Sequence, residues 1–377
     1  MKRDGFLARA ARRAGVFLDE EAEIEHAREL LAARRSPQAI ALLARLAGKG
    51  RTEAQYFLGN LYLAGEHVPP HLGEALRWIE AAAQAGHLNA QFQMALLNQA
   101  GRAKAPTAEA DPFGKAAAAA PDHESALNWA LRAAGAGHTD AQALAAQILL
   151  SGPESLRDPP RALDLYRQSA EAGNVHGLQG YGVLLLNRAR DRADREDAVR
   201  VVRLAAEKGS AQSLYILGMI AEQGRDEPAD PAAAAALFAQ AAELDFVPAQ
   251  RKLGIALYNG IGVAADPHRA ETWLRKAALA GDVDAMAIVG DIILQMGAPK
   301  PNYAEVTAWY RRAAEAGHPG AMVTLGQLHW RGLGVPRDQR TAVELFRRAA
   351  ATGHAPAVQL LAALDAERAR PKPPPRA

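Results

Sequence analysis

The side chains most able to do chemistry recur at fixed spacing, and that spacing argues against a catalytic centre. Four of the eleven histidines, His87, His138, His318 and His354, directly follow a glycine and so hold one position of a repeat. Copies in successive repeats stand at least a helix-packing distance of about 8–10 Å apart, whereas one metal needs ligand bonds near about 2 Å. A structural role is expected for them, at a helix C-terminus that attracts histidine. His67 and His71 are four apart with no third ligand evident. The basic pairs Arg275/Lys276, Arg311/Arg312 and Arg347/Arg348 also recur every 36 residues. Glu271 and Glu344 lie four before Arg275 and Arg348, a spacing that pairs charges on a solvated helix face. A basic stripe for an acidic partner is the sharper alternative. The phosphate-cradling G-x-x-x-x-G-K, the G-x-S-x-G elbow, H-E-x-x-H and paired C-x-x-C are all missing from the sequence. Neither enzyme activity nor a cofactor or metal is expected.

These residues ride on a repeated pair of helices. In the stretch 249–284, Ala249, Leu253 and Leu257 fall four apart, the stripe of an amphipathic helix with one buried side. Gly260 ends that helix, and a G-I-G-V turn leads to Asp266 and Pro267. There the carboxylate can accept from free amides of a new helix, and proline, with no amide proton, takes the first helical position. The second helix carries Ala270, Trp273, Ala277 and Ala278 inward and closes at Gly281. Closing residues along the chain are Gly50, Gly86, Gly137, Gly173, Gly209, Asp245, Gly281, Gly317 and Gly353, every interval being 36 residues except one of 51. Two helices per period, with no strand pattern, predict a solenoid whose units contact only their neighbours. The glycine pairs Gly260/Gly262 and Gly332/Gly334 follow helices, so they read as turn residues and not as a dinucleotide fingerprint.

An alanine, Leu-Gly four and five positions on, a G-x-G-V turn, an aspartate and a final A-A-x-x-G together resemble the Sel-one-like repeat, a relative of the tetratricopeptide repeat. Gly260, Gly262, Val263, Asp266, Ala270, Trp273, Ala277, Ala278 and Gly281 carry the resemblance in one unit, and it covers residues 54–356 in eight units. The units 141–176 and 177–212 depart most, with Ala145 and Tyr181 at the leucine position and no G-x-G-V turn. The resemblance implies an all-α fold, a right-handed α-solenoid of helix-turn-helix repeats with a 36-residue period. It also implies a groove for a protein or peptide partner. Some cysteine-rich members of that family are linked to penicillin binding, but this chain has no cysteine and no Ser-x-x-Lys, which argues against a hydrolase of cell-wall or β-lactam substrates.

Outside the eight units, residues 1–17 form a basic segment and 18–53 a degenerate first repeat, with Ile24, Leu30 and Leu31 as a partial apolar face. Fifteen extra residues fall in the second unit within about 101–121, where Pro106, Pro112, Gly114 and Pro121 oppose one continuous helix. Residues 357–369 read as a capping helix and 370–377 as a disordered proline-rich tail. The 44 basic and 42 acidic side chains give a net charge of +2, so no strong field recruits nucleic acid. No apolar run reaches membrane-span length, and Arg9, Arg12 and Arg13 interrupt any secretory core. The expectation is a cytoplasmic monomer, with a membrane-surface adaptor using residues 1–17 as the alternative.

Helix geometry then nominates a binding face. Position 1 is taken at residues 54, 90, 141, 177, 213, 249, 285 and 321. If positions 1, 5 and 9 of the first helix face the core, positions 3, 7 and 10 point away from it. They include Tyr56, Phe92, Tyr215 and Arg251 at position 3, Asn60, Asp291 and Gln327 at position 7, and Tyr258 and Trp330 at position 10, with Asn259 and Arg331 following at position 11. Aromatics among Asn, Gln and Arg suit a peptide: rigid area together with groups able to pair with an extended main chain. The amides at position 11 have a second reading, as partners for the carbonyls left open at a helix end.

Overall fold

In a computed structural model of the chain, residues 20–103, 120–224, 227–297 and 300–369 are described. They form helices and turns, with no strand among them. The first pair is α1 (Glu20–Ala32) and α2 (Ser36–Gly48), followed by α3 (Thr52–Ala64), α4 (Leu72–Gln84), α5 (Leu88–Gln99) and α6 (His123–Gly135). Next come α7 (Thr139–Ser151), α8 (Pro159–Glu171), α9 (Val175–Arg188) and α10 (Arg192–Glu207). The rest are α11 (Ala211–Gln223), α12 (Pro231–Glu243), α13 (Val247–Asn259), α14 (Pro267–Leu279), α15 (Val283–Met296), α16 (Tyr303–Glu315), α17 (Pro319–Arg331), α18 (Gln339–Ala351) and α19 (Ala355–Ala369). The chain divides into two compact units, one ending at Val201 and one starting at Val202. Within each, consecutive helices pack on one another, so the fold is an all-α solenoid of helix pairs. The basic N-terminal segment, most of the insertion and the proline-rich tail lie outside the described residues.

The closing residues set the period physically. Each of the closing glycines from Gly50 to Gly353 has a positive φ, and Asp245 takes the same left-handed conformation at 58°. Asp266 accepts from the Arg269 amide at 3.0 Å, with Pro267 at the first helical position. The second glycine of the G-x-G-V turn answers to packing: a Cβ on Gly262 would stand 1.9 Å from the Pro231 carbonyl oxygen, and one on Gly334 2.1 Å from that of Tyr303. Turn backbone thus rests directly on the start of the preceding repeat's second helix.

The buried arc is wider than the expected stripe. Positions 1, 5 and 9 are buried at Ala249, Leu253 and Leu257, position 8 is buried as well at Leu61, Leu97, Ile148, Ala256, Ile292 and Leu328, and position 9 varies, buried at Leu149 and half-buried at Tyr62, Ile293 and His329. A helix lodged between its own partner and the neighbouring repeats buries a wider arc than a single i,i+4 stripe. In α14, Leu274 is fully buried and Trp273 only half-buried, its ring lying 4.8 Å from Lys276 Nζ. The glycine at position 6 makes room for such residues. A Cβ at Gly254 would come within 2.5 Å of Leu274 Cγ, and one at Gly326 within 2.4 Å of Phe346. Where position 6 is alanine, as at Ala95, the facing helix offers Ala130, and both are fully buried in one cluster.

Candidate partner-binding face

Position 3 of the first helix is committed to the next repeat. Tyr56 stacks on His87 with centroids 4.6 Å apart, Phe92 lies against His138 at 4.8 Å, and Tyr215 meets Phe246 at 5.4 Å and Phe238 at 5.6 Å. Arg251 makes the polar version of this contact, its Nε donating to Asp282 Oδ2 at 3.0 Å and Nη1 lying 3.6 Å from Asp284. All four are half-buried. Each reaches the residue just after a closing position, at the N-cap of the next helix; His87, His138 and Asp282 cap through their side chains, whereas Phe246, after Asp245, makes no side-chain cap bond.

The histidines at that place are therefore not C-terminal charges. Nδ1 of His87, His138 and His318 accepts the backbone N–H of Ala90, Ala141 and Ala321 at 3.1, 3.2 and 2.9 Å. They are N-caps, because the left-handed glycine turns the chain so sharply that the following residue already opens the next helix. Asn174, Ser210 and Asp282 fill the same role with a side-chain oxygen.

The remaining candidates divide by how far the chain has engaged them. The Tyr258 hydroxyl donates to Gln295 Oε1 across one repeat, and the Tyr310 hydroxyl to Asp291 Oδ1. Burial, then that bond and the charge of Asp291, push the Tyr310 phenol well above its ordinary range. Asn60 Nδ2 donates to Tyr56 O at 2.9 Å and Asn259 Nδ2 to Ile255 O at 3.1 Å, each answering a carbonyl of its own helix. Gln327 and Arg331 are exposed and Trp330 is half-buried. Among the described residues, none of these three has a hydrogen bond, ion pair or ring contact from its side chain.

The second helices present a different surface. Arg275 donates to Glu271 at 2.8 Å and to Glu305 at 2.6 Å, and its guanidinium lies 5.7 Å from the Trp309 ring. Burial alone would lower its pKa, and the two glutamates more than reverse that. Arg312 also lies over the Trp309 ring, 5.2 Å from its centroid, and Lys276 meets Asp245 at 3.5 Å. Glu344 pairs with Arg340 at 3.3 Å and not with Arg348, a correction that costs the stripe one expected bond. Three of the basic side chains considered for an acidic partner, Arg275, Lys276 and Arg312, are thus engaged within the chain.

One recurring pattern of the chain is not among the sequence expectations. Gln55, Gln91, Gln142 and Gln250, all at position 2 and all buried, donate through Nε2 to the carbonyls of Ala47, Ala83, Ala134 and Ala242 at 3.1, 3.1, 3.4 and 3.4 Å. Each answers a carbonyl at the end of the preceding repeat's second helix, stitching repeats together through the main chain. The recurring Ala-Gln dipeptide at 54, 90, 141 and 249 was the available signal. Among the described residues, no group of three or more His, Asp or Glu could hold a metal ion, and no helix is long and apolar enough to cross a membrane.

The Sel1 repeat pattern matches residues 52–87, 114–138, 139–174, 211–246, 247–282, 283–318 and 319–354. It passes over 175–210, the unit in which α9 and α10 follow one another without the glycine turn. Among solved structures, the chain is similar to a protective antigen of uropathogenic Escherichia coli displaying an SLR fold. Identity is 25% and the TM-score 0.63, over 86% of this chain and 67% of that one. It is similar also to a Sel1 repeat protein from Oxalobacter formigenes, at 25% identity and a TM-score of 0.55, over 85% of this chain and 89% of that one. Among curated proteins no sequence matches.

Proposed function

The chain belongs to the Sel1 repeat family, and from that premise we propose that it is a non-catalytic scaffold or adaptor holding a protein or peptide on the first-helix face of its C-terminal unit. Repeat arrays of this kind commonly mediate protein–protein contacts, because stacked units offer an extended surface on which no single repeat suffices. The observation that carries the reading is α17: Gln327, Trp330 and Arg331 lie together on it with no polar or ring partner in the chain. A large aromatic flanked by an amide and a guanidinium is the composition of an interface anchor.

Asp291, exposed on α15 one repeat earlier at the same position as Gln327, extends the face. Tyr258 contributes ring area while its hydroxyl is held by Gln295. Tyr56, Asn60, Phe92, Tyr215 and Arg251 serve first as joints between or within repeats, and Asn259 serves its own helix end. The partner therefore engages the C-terminal end of the face most strongly.

Cross-linking and pull-down with the full chain would capture the partner, and titration calorimetry would then compare variants. Trp330→Ala is expected to weaken binding by about 2 kcal/mol or more, with circular dichroism unchanged. Normal binding by Trp330→Ala, together with loss of binding and a steep salt dependence on replacing Arg311 and Arg347, would move the site to the outer basic stripe.

A further inference from the structure

The histidine caps fix a protonation state. A ring nitrogen that accepts a hydrogen bond carries no proton, so Nδ1 acceptance by His87, His138 and His318 requires the neutral imidazole with its proton on Nε2. The imidazolium has two N–H donors and no acceptor, and it cannot cap a helix through Nδ1. We propose that these three repeat junctions are acid-released joints: a proton taken from water onto Nδ1 removes the acceptor of the Ala90, Ala141 or Ala321 amide and loosens the first turn of α5, α7 or α17.

Surrounding groups hold each ring by its other nitrogen. His87 Nε2 lies 2.7 Å from Glu53 Oε2, and the ring rests on Tyr56. Glu53 also has Arg28 at 3.8 Å. The Nε2–H···Glu53 contact survives protonation at Nδ1, so the ring stays held on that side even as the cap is lost. His318 Nε2 has Asp284 at 3.7 Å, a carboxylate shared with Arg251 at 3.6 Å, and its pull is divided. His138 Nε2 lies 3.1 Å from the neutral Asn89 Oδ1 and its ring rests against Phe92, with no carboxylate paired to it among the described residues. Junctions capped by Asn174, Ser210 and Asp282 use oxygen and lie outside this device.

The test uses the full chain at about pH 7.5 and about pH 5.5, a window that brackets ordinary histidine titration. Hydrogen exchange, corrected for the intrinsic pH dependence of the amide, reads each first turn, and nitrogen-15 shifts of the imidazoles read the tautomer. At acid pH the first turns of α5, α7 and α17 are expected to exchange roughly 5–30-fold faster, the factor equivalent to losing one cap. The first turns of α9, α11 and α15 should hold. A variant carrying His87→Asn, His138→Asn and His318→Asn keeps an oxygen cap, as Asn174 does, and should lose the response. An equal acid response in that variant, or a proton on Nδ1 at neutral pH, overturns the proposal. If the triple variant does not fold, His87→Asn alone and the nitrogen-15 tautomer of the unaltered chain decide the question.

Discussion

The repeats at 249–284 and 321–356 carry the same motif, yet they use their first-helix side chains for different ends. In the earlier one, Arg251 is tied to Asp282, Tyr258 to Gln295 and Asn259 to the Ile255 carbonyl. In the later one, Gln327, Trp330 and Arg331 at positions 7, 10 and 11 have no such ties among the described residues. A repeat inside the array spends its polar and aromatic groups on the unit that follows. In the repeat at 321–356, which packs on α19, these groups stay untied among the described residues. Contacts already made within the chain therefore matter as much as residue type in choosing candidate contacts.

The comparison can be broken first where the two repeats should behave alike. Gly254→Val and Gly326→Val each force a branched side chain onto Leu274 or Phe346, and each should destabilise by about 1–3 kcal/mol. Hydrogen exchange should show the loss mainly in the altered unit and its neighbours, and a loss spread evenly over all repeats would contradict a nearest-neighbour array.

The next effect should belong to the earlier repeat alone. Asp282→Ala removes the cap of α15 together with the partner of Arg251, and about 1–2 kcal/mol should follow, mostly from the cap. Chemical denaturation checks the size. Asp282→Asn, which keeps the cap oxygen, should recover most of it.

Between the two repeats, Tyr310 offers a pH handle. Its folded pKa is raised above the ordinary 10.0 by burial and by Asp291. The neutral phenol therefore stabilises the fold fully below about pH 10, and that contribution is lost as pH rises from there toward the folded value. Alkaline unfolding followed by exchange should begin around α15 and α16, and Tyr310→Phe should remove that part of the pH dependence. The smallest effect is expected from Asn259→Ala, at about 0.5 kcal/mol or less, because its bond to Ile255 O is exposed and water can replace it. A larger loss in a thermal melt would mean that Asn259 holds more than its own helix end.

Helix existence, closing glycines and the Asp266–Pro267 helix start were legible because they follow from local backbone chemistry, whereas the capping histidines were assigned to the wrong helix end. Gly281, Asp266 and Pro267 act within a few residues of themselves, and Asp245 could be read as a tolerated left-handed substitute. Contacts between repeats were harder. Tyr56 and His87 lie 31 residues apart, and nothing local to Tyr56 says whether its ring meets solvent or the next cap. Assigning faces from 100° per residue placed position 3 opposite the core, when a neighbouring repeat covers that arc as well. Position 2 failed for the reverse reason. A glutamine reads as a surface residue until the orphan carbonyl of the preceding helix is counted as its partner. The face at Gln327, Trp330 and Arg331 was nominated by pattern, but its distinction from the same positions in earlier repeats needed the contacts themselves.

The central claim, that joints and partner contacts are separated along the same face, is tested most directly by measuring binding and local exchange together on Arg251→Ala and Trp330→Ala with the captured partner. Trp330→Ala should weaken binding by about 2 kcal/mol or more and leave exchange in α17 unchanged. Arg251→Ala should raise exchange around α13 and α15 and change affinity by less than about 0.5 kcal/mol. If Arg251→Ala abolished binding without altering exchange while Trp330→Ala bound normally, the joint would be the contact, and the account would be contradicted.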